Sequence, residues 1–213
     1  MTLSFAPDVI EMWPLARLQP YAKNAKAHGS DQVAKIAASM ATKKLSQEGG
    51  AVLLEPNTEG NGIIDTQNYT DGSGREFLHQ KAGGSVKPPS HETVDAREHY
   101  VYQEGQSVFK FAVKGMADVS VEMMERNNLE AEDVAYLVPH QANLRIINAV
   151  QKALGVDPDA MVVNVQNYGN TGSASVPLAL WEARGQGRID PGDLVLLTAF
   201  GAGFHWAAAL VRF

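Results

Sequence analysis

Residues 136–155 read YLVPHQANLRIINAVQKALG, and this stretch decides the fold class. Tyr136–Val138 is a short apolar run that stops at a proline, which is typical of a buried strand. Residues 143–154 carry the apolar spacing of a helix, and Gly155 is its C-terminal signal. A strand that leads directly into an amphipathic helix indicates an α/β layered fold.

The same alternation of strands and helices extends on both sides of this stretch. A stripe of apolar residues predicts a long helix from Gly105 to about Asn127, and another helix is predicted from Ser173 to about Gly185. Runs of apolar residues predict further strands, which are 51–54, a strand beginning at Ile63, 161–165, 194–200 and 206–213. Residues 79–99 are rich in Gly and Pro and carry three histidines, so they predict a long surface loop with exposed histidines.

Composition excludes several classes of protein. The 213 residues carry a net charge of −6, are 45% hydrophobic and contain no cysteine. Without cysteine the chain has no disulfide, no thiolate metal site and no covalent chemistry through a thiol of its own. No window is apolar enough to span a membrane and no secretory signal is evident, so the expected location is cytoplasmic. The histidine spacing shows no metal-ligand pattern, and no metal or cofactor is expected.

The charge is distributed unevenly along the chain. Residues 1–45 hold six Lys or Arg and three Asp or Glu, a net charge of +3, whereas residues 46–213 have a net charge of −9. This asymmetry is compatible with segments of two origins, and also with chance in a short window.

Two polar loops follow predicted strands and are candidates for chemistry. His140 comes directly after the strand at 136–138, and Asn170 lies in a glycine-containing loop after the strand at 161–165. Ligands of open α/β sheets bind at such strand ends, so we expect His140 and Asn170 to lie together and donate hydrogen bonds to one carbonyl oxygen. Each loop alone is also compatible with a structural role, as a histidine that caps a helix or a glycine loop that precedes one.

The sequence around these loops resembles a known family. Residues 138–147 (VPHQANLRII) resemble the histidine motif of β-ketoacyl-ACP synthase III, and residues 168–177 (YGNTGSASVP) resemble its asparagine motif. The ending of the chain, LLTAFGAGFHW at 196–206 and LVRF at 210–213, is similar to the C-terminus of that family. The resemblance extends from about Gly49 to Phe213.

The resemblance implies a fold and a reaction. The family has the thiolase fold, in which two similar α/β halves pack in layers, and it condenses acyl-CoA with malonyl-ACP as fatty-acid synthesis begins. His140 and Asn170 would then hold the malonyl thioester oxygen and stabilise the enolate left by decarboxylation. Phe200 would pack beside them, and the main-chain N–H of Ala202, which replaces a usual glycine, would serve the acyl oxyanion.

The resemblance also implies partners. Phe109, within the segment Gly105–Phe109, and Asn143 match positions along the channel for the pantetheine arm. Lys110, Arg145 and Lys152 match a basic patch that receives the acidic acyl carrier protein, which agrees with the electrostatics of steering an anionic partner. A homodimer and no membrane contact are expected.

The chain departs from the family in one respect. The family's nucleophile is a cysteine in the N-terminal half, and this sequence resembles only the last strand of that half, at 51–54, followed by the second half. We therefore expect a truncated, chimeric acyltransferase that cannot complete the condensation alone.

Residues 1–45 resemble a different family. Residues 10–15 (IEMWPL), 18–26 (LQPYAKNAK) and 31–40 (DQVAKIAASM) look like the opening of a ParB-like nuclease domain. The predicted architecture therefore has three parts. Residues 1–45 form a short unrelated α/β segment, and residues 46–104 contain the last strand of the first thiolase half, the start of the second half and a long loop. Residues 105–213 form the C-terminal synthase domain.

Three functional hypotheses remain open at this point. The first is an incomplete ketoacyl synthase III. The second is a non-enzymatic DNA-associated protein led by the ParB-like segment. The third is a half-molecule complemented by a partner that carries the cysteine.

Overall fold

The computed structural model describes residues 60–213. The predictions made for residues 1–45, including their likeness to a ParB-like domain, and the strand predicted at 51–54 lie outside the described residues. The proposed domain boundaries therefore stay predictions.

The main sheet has four strands, in the order β1-β6-β5-β4. They are β1 (Gly62–Thr70), β4 (Tyr136–Pro139), β5 (Leu194–Gly201) and β6 (His205–Arg212). Strand β4 runs parallel to β5, whereas β6 is antiparallel to both of its neighbours, β5 and β1. A small antiparallel hairpin forms separately from β2 (Leu78–Gln80) and β3 (Val101–Gln103). This topology confirms the predicted α/β fold class.

Three long helices accompany the main sheet. They are α2 (Gly105–Arg126), α3 (Leu144–Leu154) and α5 (Ser175–Gly185), and two short helices are α1 (His91–Asp95) and α4 (Val165–Tyr168). Helix α3 begins and ends as its sequence predicts, because the Asn143 side chain accepts the Ile146 N–H and Gly155 adopts a left-handed conformation with φ of 68°. No helix among residues 60–213 is long and apolar enough to cross a membrane.

Alternate residues of β4 and β5 point to opposite faces of the sheet, and each face has its own core. On one face Leu137 and Leu196 pack with the apolar stripes of α2 and α3, including the fully buried Met116. On the other face Val138 and Val195 pack with Ala179 and neighbours on α5. Each fully buried aliphatic side chain of this kind contributes about 1.5–3 kcal/mol to folding. The sheet is thus sandwiched between helices, which positions the ends of its strands between the layers.

The prediction of a strand at 161–165 is wrong. Only Met161 pairs with the sheet, through a single parallel bridge to Leu137, and the chain turns into helix α4 at Val165. The reason is a side chain: Gln141 Oε1 accepts the N–H groups of Asn164 and Val165, at 2.9 and 3.1 Å. These N–H groups are therefore not available to extend a strand.

The loop predicted at 79–99 contains more structure than expected. Ser90 and Thr93 form a capping box that starts helix α1, and the hairpin β2–β3 encloses the segment. His91 is exposed as predicted, but His79 and His99 are half-buried, and His99 is hydrogen-bonded through Nε2 to Thr93 Oγ1 at 2.9 Å. The expected exposure of all three histidines is therefore wrong for two of them.

Candidate active site

His140 is positioned by the parallel pair of strands. It follows the last residue of β4, and its backbone N–H donates to the Thr198 carbonyl of β5 over 2.7 Å, which extends the ladder by one residue. The backbone at His140 is thus fixed by the sheet, and its half-buried side chain lies at the carboxyl end of β4.

The imidazole of His140 is bonded to the first residue of helix α5. Nδ1 lies 2.5 Å from Oγ of Ser175, a residue that is only 1% exposed. The Ser175 hydroxyl also accepts the backbone N–H of Gln141 at 3.3 Å, which leaves its own hydrogen free to be donated to Nδ1. When Ser175 donates to Nδ1, the proton of the neutral ring is on Nε2, which is then available as a donor.

Burial keeps this ring neutral. Desolvation lowers the pKa of His140 below its ordinary value of about 6.5, because the charged imidazolium loses solvation inside the protein. A neutral imidazole at pH 7 can donate one hydrogen bond to a developing negative charge without first losing a proton.

Asn170 lies in the loop between helices α4 and α5. Its Oδ1 accepts the Gly172 N–H at 3.0 Å, which forms a tight local turn, and its Nδ2 amide has no acceptor among residues 60–213. Gly169 and Gly172 flank it with φ of 67° and 63°, a backbone region that glycine enters readily. The loop therefore presents an exposed amide donor on a constrained backbone.

The structure brings His140 and the Asn170 loop to the same helix terminus without joining the two residues directly. His140 contacts Ser175, five residues after Asn170, and no hydrogen bond links His140 to Asn170 within the described chain. That both side chains act on one substrate oxygen stays a prediction.

Phe200 and Ala202 lie where strand β5 turns into β6. Phe200 is 8% exposed and its ring packs against that of Phe204, with 4.9 Å between centroids, whereas Ala202 is exposed in the turn. Phe200 comes two residues after Thr198, the residue that holds the His140 backbone. Their roles beside a substrate stay predictions.

The two predicted channel residues lie at the start of separate helices. Asn143 caps helix α3 with its side-chain oxygen, and Phe109 is half-buried in the first turns of α2. The guanidinium carbon of Arg145 lies 5.4 Å from the Phe109 ring centroid, so Arg145 links a predicted channel residue to the predicted basic patch.

The three cations of the predicted basic patch are all exposed. Arg145 and Lys152 are seven residues apart on α3, which places them on one face of that helix, and Lys110 lies on α2, which packs against α3. None of the three forms an ion pair with another residue of 60–213. Their charges are therefore available to an external partner.

Gln141 and Ser175 are site residues to which the sequence assigns no role. Both occur in the two motifs, but apart from Pro139 their partners lie 21 to 35 residues away, so no local pattern indicates the contacts. In residues 60–213 no group of three or more His, Cys, Asp or Glu side chains is arranged to hold a metal ion.

Comparison with protein families gives a match to part of the chain. Residues 124–213 match the model of the 3-oxoacyl-[acyl-carrier-protein] synthase III C-terminal domain. Both His140 and Asn170 lie within this matched region.

Individual relatives extend the similarity toward the N-terminus. β-Ketoacyl-[acyl-carrier-protein] synthase III of Porphyromonas gingivalis is 51% identical over 163 residues, which are 76% of this chain and 48% of that protein. The protein of the same name from Chlorobium chlorochromatii is 47% identical over 189 residues, which are 86% of this chain and 57% of that protein. The chain thus spans about half the length of these relatives.

Solved structures agree with the sequence comparison. The 3-oxoacyl-[acyl-carrier-protein] synthase III of Aquifex aeolicus superimposes with a TM-score of 0.65 and 37% identity, over 74% of this chain and 46% of that one. The synthase III of Thermus thermophilus superimposes with a TM-score of 0.64 and 42% identity, over 73% and 47% respectively. Residues 124–213 therefore match a 3-oxoacyl-[acyl-carrier-protein] synthase III C-terminal domain, and the described residues have the mixed α/β fold of this thiolase-like group.

Proposed function

We propose that this chain provides the decarboxylation site of a β-ketoacyl-ACP synthase III. In this proposal His140 Nε2 and Asn170 Nδ2 donate hydrogen bonds to the thioester oxygen of a malonyl group. The carboxylate leaves as CO2, and its bonding electrons become the enolate whose oxygen the two donors stabilise. In the absence of an acyl acceptor, the enolate carbon takes a proton from water and becomes the methyl group of the acetyl thioester. Phe200 supports the site from one side, and the main-chain N–H of Ala202 serves a second oxyanion.

The observation that carries the proposal is the state of His140. Its ring is kept neutral by burial, and when Ser175 Oγ donates to Nδ1 the ring proton is on Nε2, where it can be donated. Such a donor is preorganised, so it need not reorient when negative charge develops on the substrate oxygen.

The covalent half of the reaction requires a group from elsewhere. These 213 residues contain no cysteine, so a thiol that accepts the acyl group would have to come from outside them. We therefore propose that the chain on its own is incomplete for condensation and that a cysteine-bearing half complements it. Co-purification with such a homologue would support complementation, and a lone monomer that performs the full condensation of acyl-CoA with malonyl-ACP would contradict it.

Decarboxylation of malonyl-CoA tests the proposal directly. We expect the purified chain to convert malonyl-CoA to acetyl-CoA and CO2, and His140→Ala or Asn170→Ala to lower kcat by about 100- to 1,000-fold, as loss of one oxyanion donor does in other enzymes. Ser173→Ala, an exposed residue of the same loop region, is the matched control. Equal rates in the wild type and the two variants would refute the assignment.

The partners follow from the same proposal. Lys110, Arg145 and Lys152 would receive an acidic acyl carrier protein, Phe109 and Asn143 would line the path of its pantetheine arm, and acyl-CoA would be the acyl donor. Members of the family usually form homodimers, so a homodimer is proposed here as well, and the mass of the protein in solution would test it.

The segment 1–45 supports a second proposal, of DNA association. These residues resemble the opening of a ParB-like nuclease domain, and their net charge of +3 agrees with a DNA-related origin. Gel-shift titration against duplex DNA would show binding that weakens as salt increases; absence of binding at low salt would exclude this function.

A further inference from the structure

Gln141 has a side chain whose hydrogen-bonding capacity is fully used. It is 1% exposed, and its Nε2 donates to the carbonyls of Pro139 and Val162 at 2.8 and 3.1 Å. Its Oε1 accepts the N–H groups of Asn164 and Val165 at 2.9 and 3.1 Å. Two donors and two lone pairs are all that a side-chain amide offers, so Gln141 has no capacity left for a substrate.

These four bonds join the two loops of the candidate site. Pro139 ends β4 just before His140, whereas Asn164 and Val165 begin helix α4, which leads to Asn170. A single buried amide therefore fixes the backbone on the histidine side to the backbone on the asparagine side.

A second side chain, Glu182, contacts both ends of the same helix. Asn164 Nδ2 donates to Glu182 Oε2 at 3.0 Å, and the Tyr168 hydroxyl donates to Glu182 Oε1 at 3.5 Å. Glu182 lies on helix α5, and Tyr168 is two residues before Asn170. Helix α4 is thus held by Gln141 at its start and by Glu182 along its length.

We propose that Gln141 is a positioning residue of the site, which sets the distance and orientation of the Asn170 loop relative to His140. This inference rests on the proposed decarboxylation function, because the separation matters only where both residues act on one oxygen. Glu182 supports the same arrangement through its hydrogen bonds to helix α4. Neither residue touches the substrate.

The chemistry of the position explains why an amide is needed. Gln141→Glu would place a carboxylate against the carbonyls of Pro139 and Val162, where both partners are acceptors, so it keeps the shape and loses the donors. Gln141→Met keeps a similar length and leaves two buried carbonyls and two buried N–H groups without partners. Gln141→Met therefore releases helix α4 from the end of β4, whereas Gln141→Glu keeps the acceptor for the helix N–H groups and loses the bonds to Pro139 and Val162.

The separation of the two loops can be measured in the protein because the sequence has no cysteine. A single cysteine introduced at the exposed Asn167 carries a nitroxide, and paramagnetic relaxation of the His140 amide then reports the distance between the loops. We expect Gln141→Met to change this relaxation, and Glu182→Ala, which removes only the second contact, to change it less. Met123→Ala, in the buried core of α2, is the control for a general loss of stability.

Two readouts separate this inference from the proposed function. In the decarboxylation assay Gln141→Met should lower kcat by about 100-fold, the effect of displacing a catalytic group by about 1 Å, with KM changed less than kcat. Unchanged relaxation in Gln141→Met would overturn the positioning role of Gln141, whatever the activity and whatever the effect of Glu182→Ala. A wild-type protein that does not decarboxylate malonyl-CoA would overturn the proposed function, and the distance between the two loops would then have no role in catalysis. The relaxation data would still decide whether Gln141 fixes the position of the loops.

Discussion

Nδ1 of His140 and Oγ of Ser175 lie 2.5 Å apart, so the first residue of helix α5 sets the hydrogen-bonding state of the histidine at the end of β4. Ser175 is buried and also accepts the Gln141 N–H. When Ser175 Oγ donates to Nδ1, the ring proton lies on the nitrogen that faces away from Ser175.

Ser175→Ala is expected to change the tautomer populations of the His140 ring. Without the hydroxyl, the ring populates both neutral tautomers, and the Gln141 N–H loses an acceptor. The loss of stability is about 0.5–1.5 kcal/mol for the hydrogen bond. Imidazole nitrogen chemical shifts measure the tautomer populations, with Ser173→Ala as the control, and wild-type shifts in Ser175→Ala would contradict the prediction.

The buried imidazole makes stability depend on pH. Because the pKa of His140 is lower in the folded protein than in the unfolded chain, the unfolded state binds more protons as the pH falls through about 6.5. The free energy of unfolding should therefore decrease on acidification below that pH. Urea denaturation midpoints from pH 8 to pH 5 measure this effect.

The control for this pH effect is His140→Gln, which keeps a polar side chain without a titrating group. The difference between the wild type and His140→Gln isolates the contribution of His140 from those of the other five histidines. The prediction fails if both proteins lose stability equally on acidification.

The exposed cations predict a charge-dependent interaction. Reversing Arg145 to Glu should weaken binding of an acidic acyl carrier protein, and the difference from the wild type should diminish as salt increases. The same substitution removes the cation–π contact between Arg145 and the Phe109 ring. Such a contact stabilises a protein by about 0.5–1 kcal/mol at an exposed site. Affinity measured by surface plasmon resonance tests this.

Lys114→Glu provides the matched control for the charge reversal. Lys114 is an exposed cation on α2, like Lys110, but it already forms an ion pair with Asp118 and is not part of the basic patch. Equal weakening by Arg145→Glu and Lys114→Glu would indicate a general effect of net charge and would exclude a localised docking surface.

Two glycines in the 3₁₀ turn Gly72–Phe77 allow a matched test of packing. A Cβ at Gly74 would lie 2.0 Å from the ring of Phe204, which is fully buried and packs on Phe200, whereas a Cβ at Gly72 would meet nothing within 4 Å. Gly74→Ala should destabilise the protein by about 1–3 kcal/mol through this overlap, and Gly72→Ala should not. Thermal denaturation of the two variants compares them, and similar melting temperatures would contradict the packing argument.

The sequence predicts those helices and strands in which the pattern of apolar residues continues over many residues. Helices α2 and α3 follow from their apolar stripes, and strands β5 and β6 from apolar runs separated by glycines. The segment at 161–165 has the composition of a strand, but Gln141, some twenty residues earlier, captures its N–H groups. Such a contact has no local signature, so the error arises from tertiary structure.

The sequence likewise predicts part of the candidate site. His140 follows from its place at the end of a strand, and Asn170 from its glycine-containing loop. Ser175 and Gln141 could not be assigned from the sequence, because their roles depend on partners that the fold brings together from distant positions. The structure therefore adds the groups that orient the site to the groups that the sequence identifies.

The pairing of β1 with β6 has a consequence for how the protein is made. Gly62 is registered against Arg212, so the first described strand must wait for a partner about 150 residues later in the chain. Closing so long a loop makes this pairing slow compared with the local formation of α2 or α3. During synthesis, β1 therefore emerges before its partner β6, and its β6-facing edge stays open to other strands, including those of neighbouring nascent chains, until Arg212 has been added.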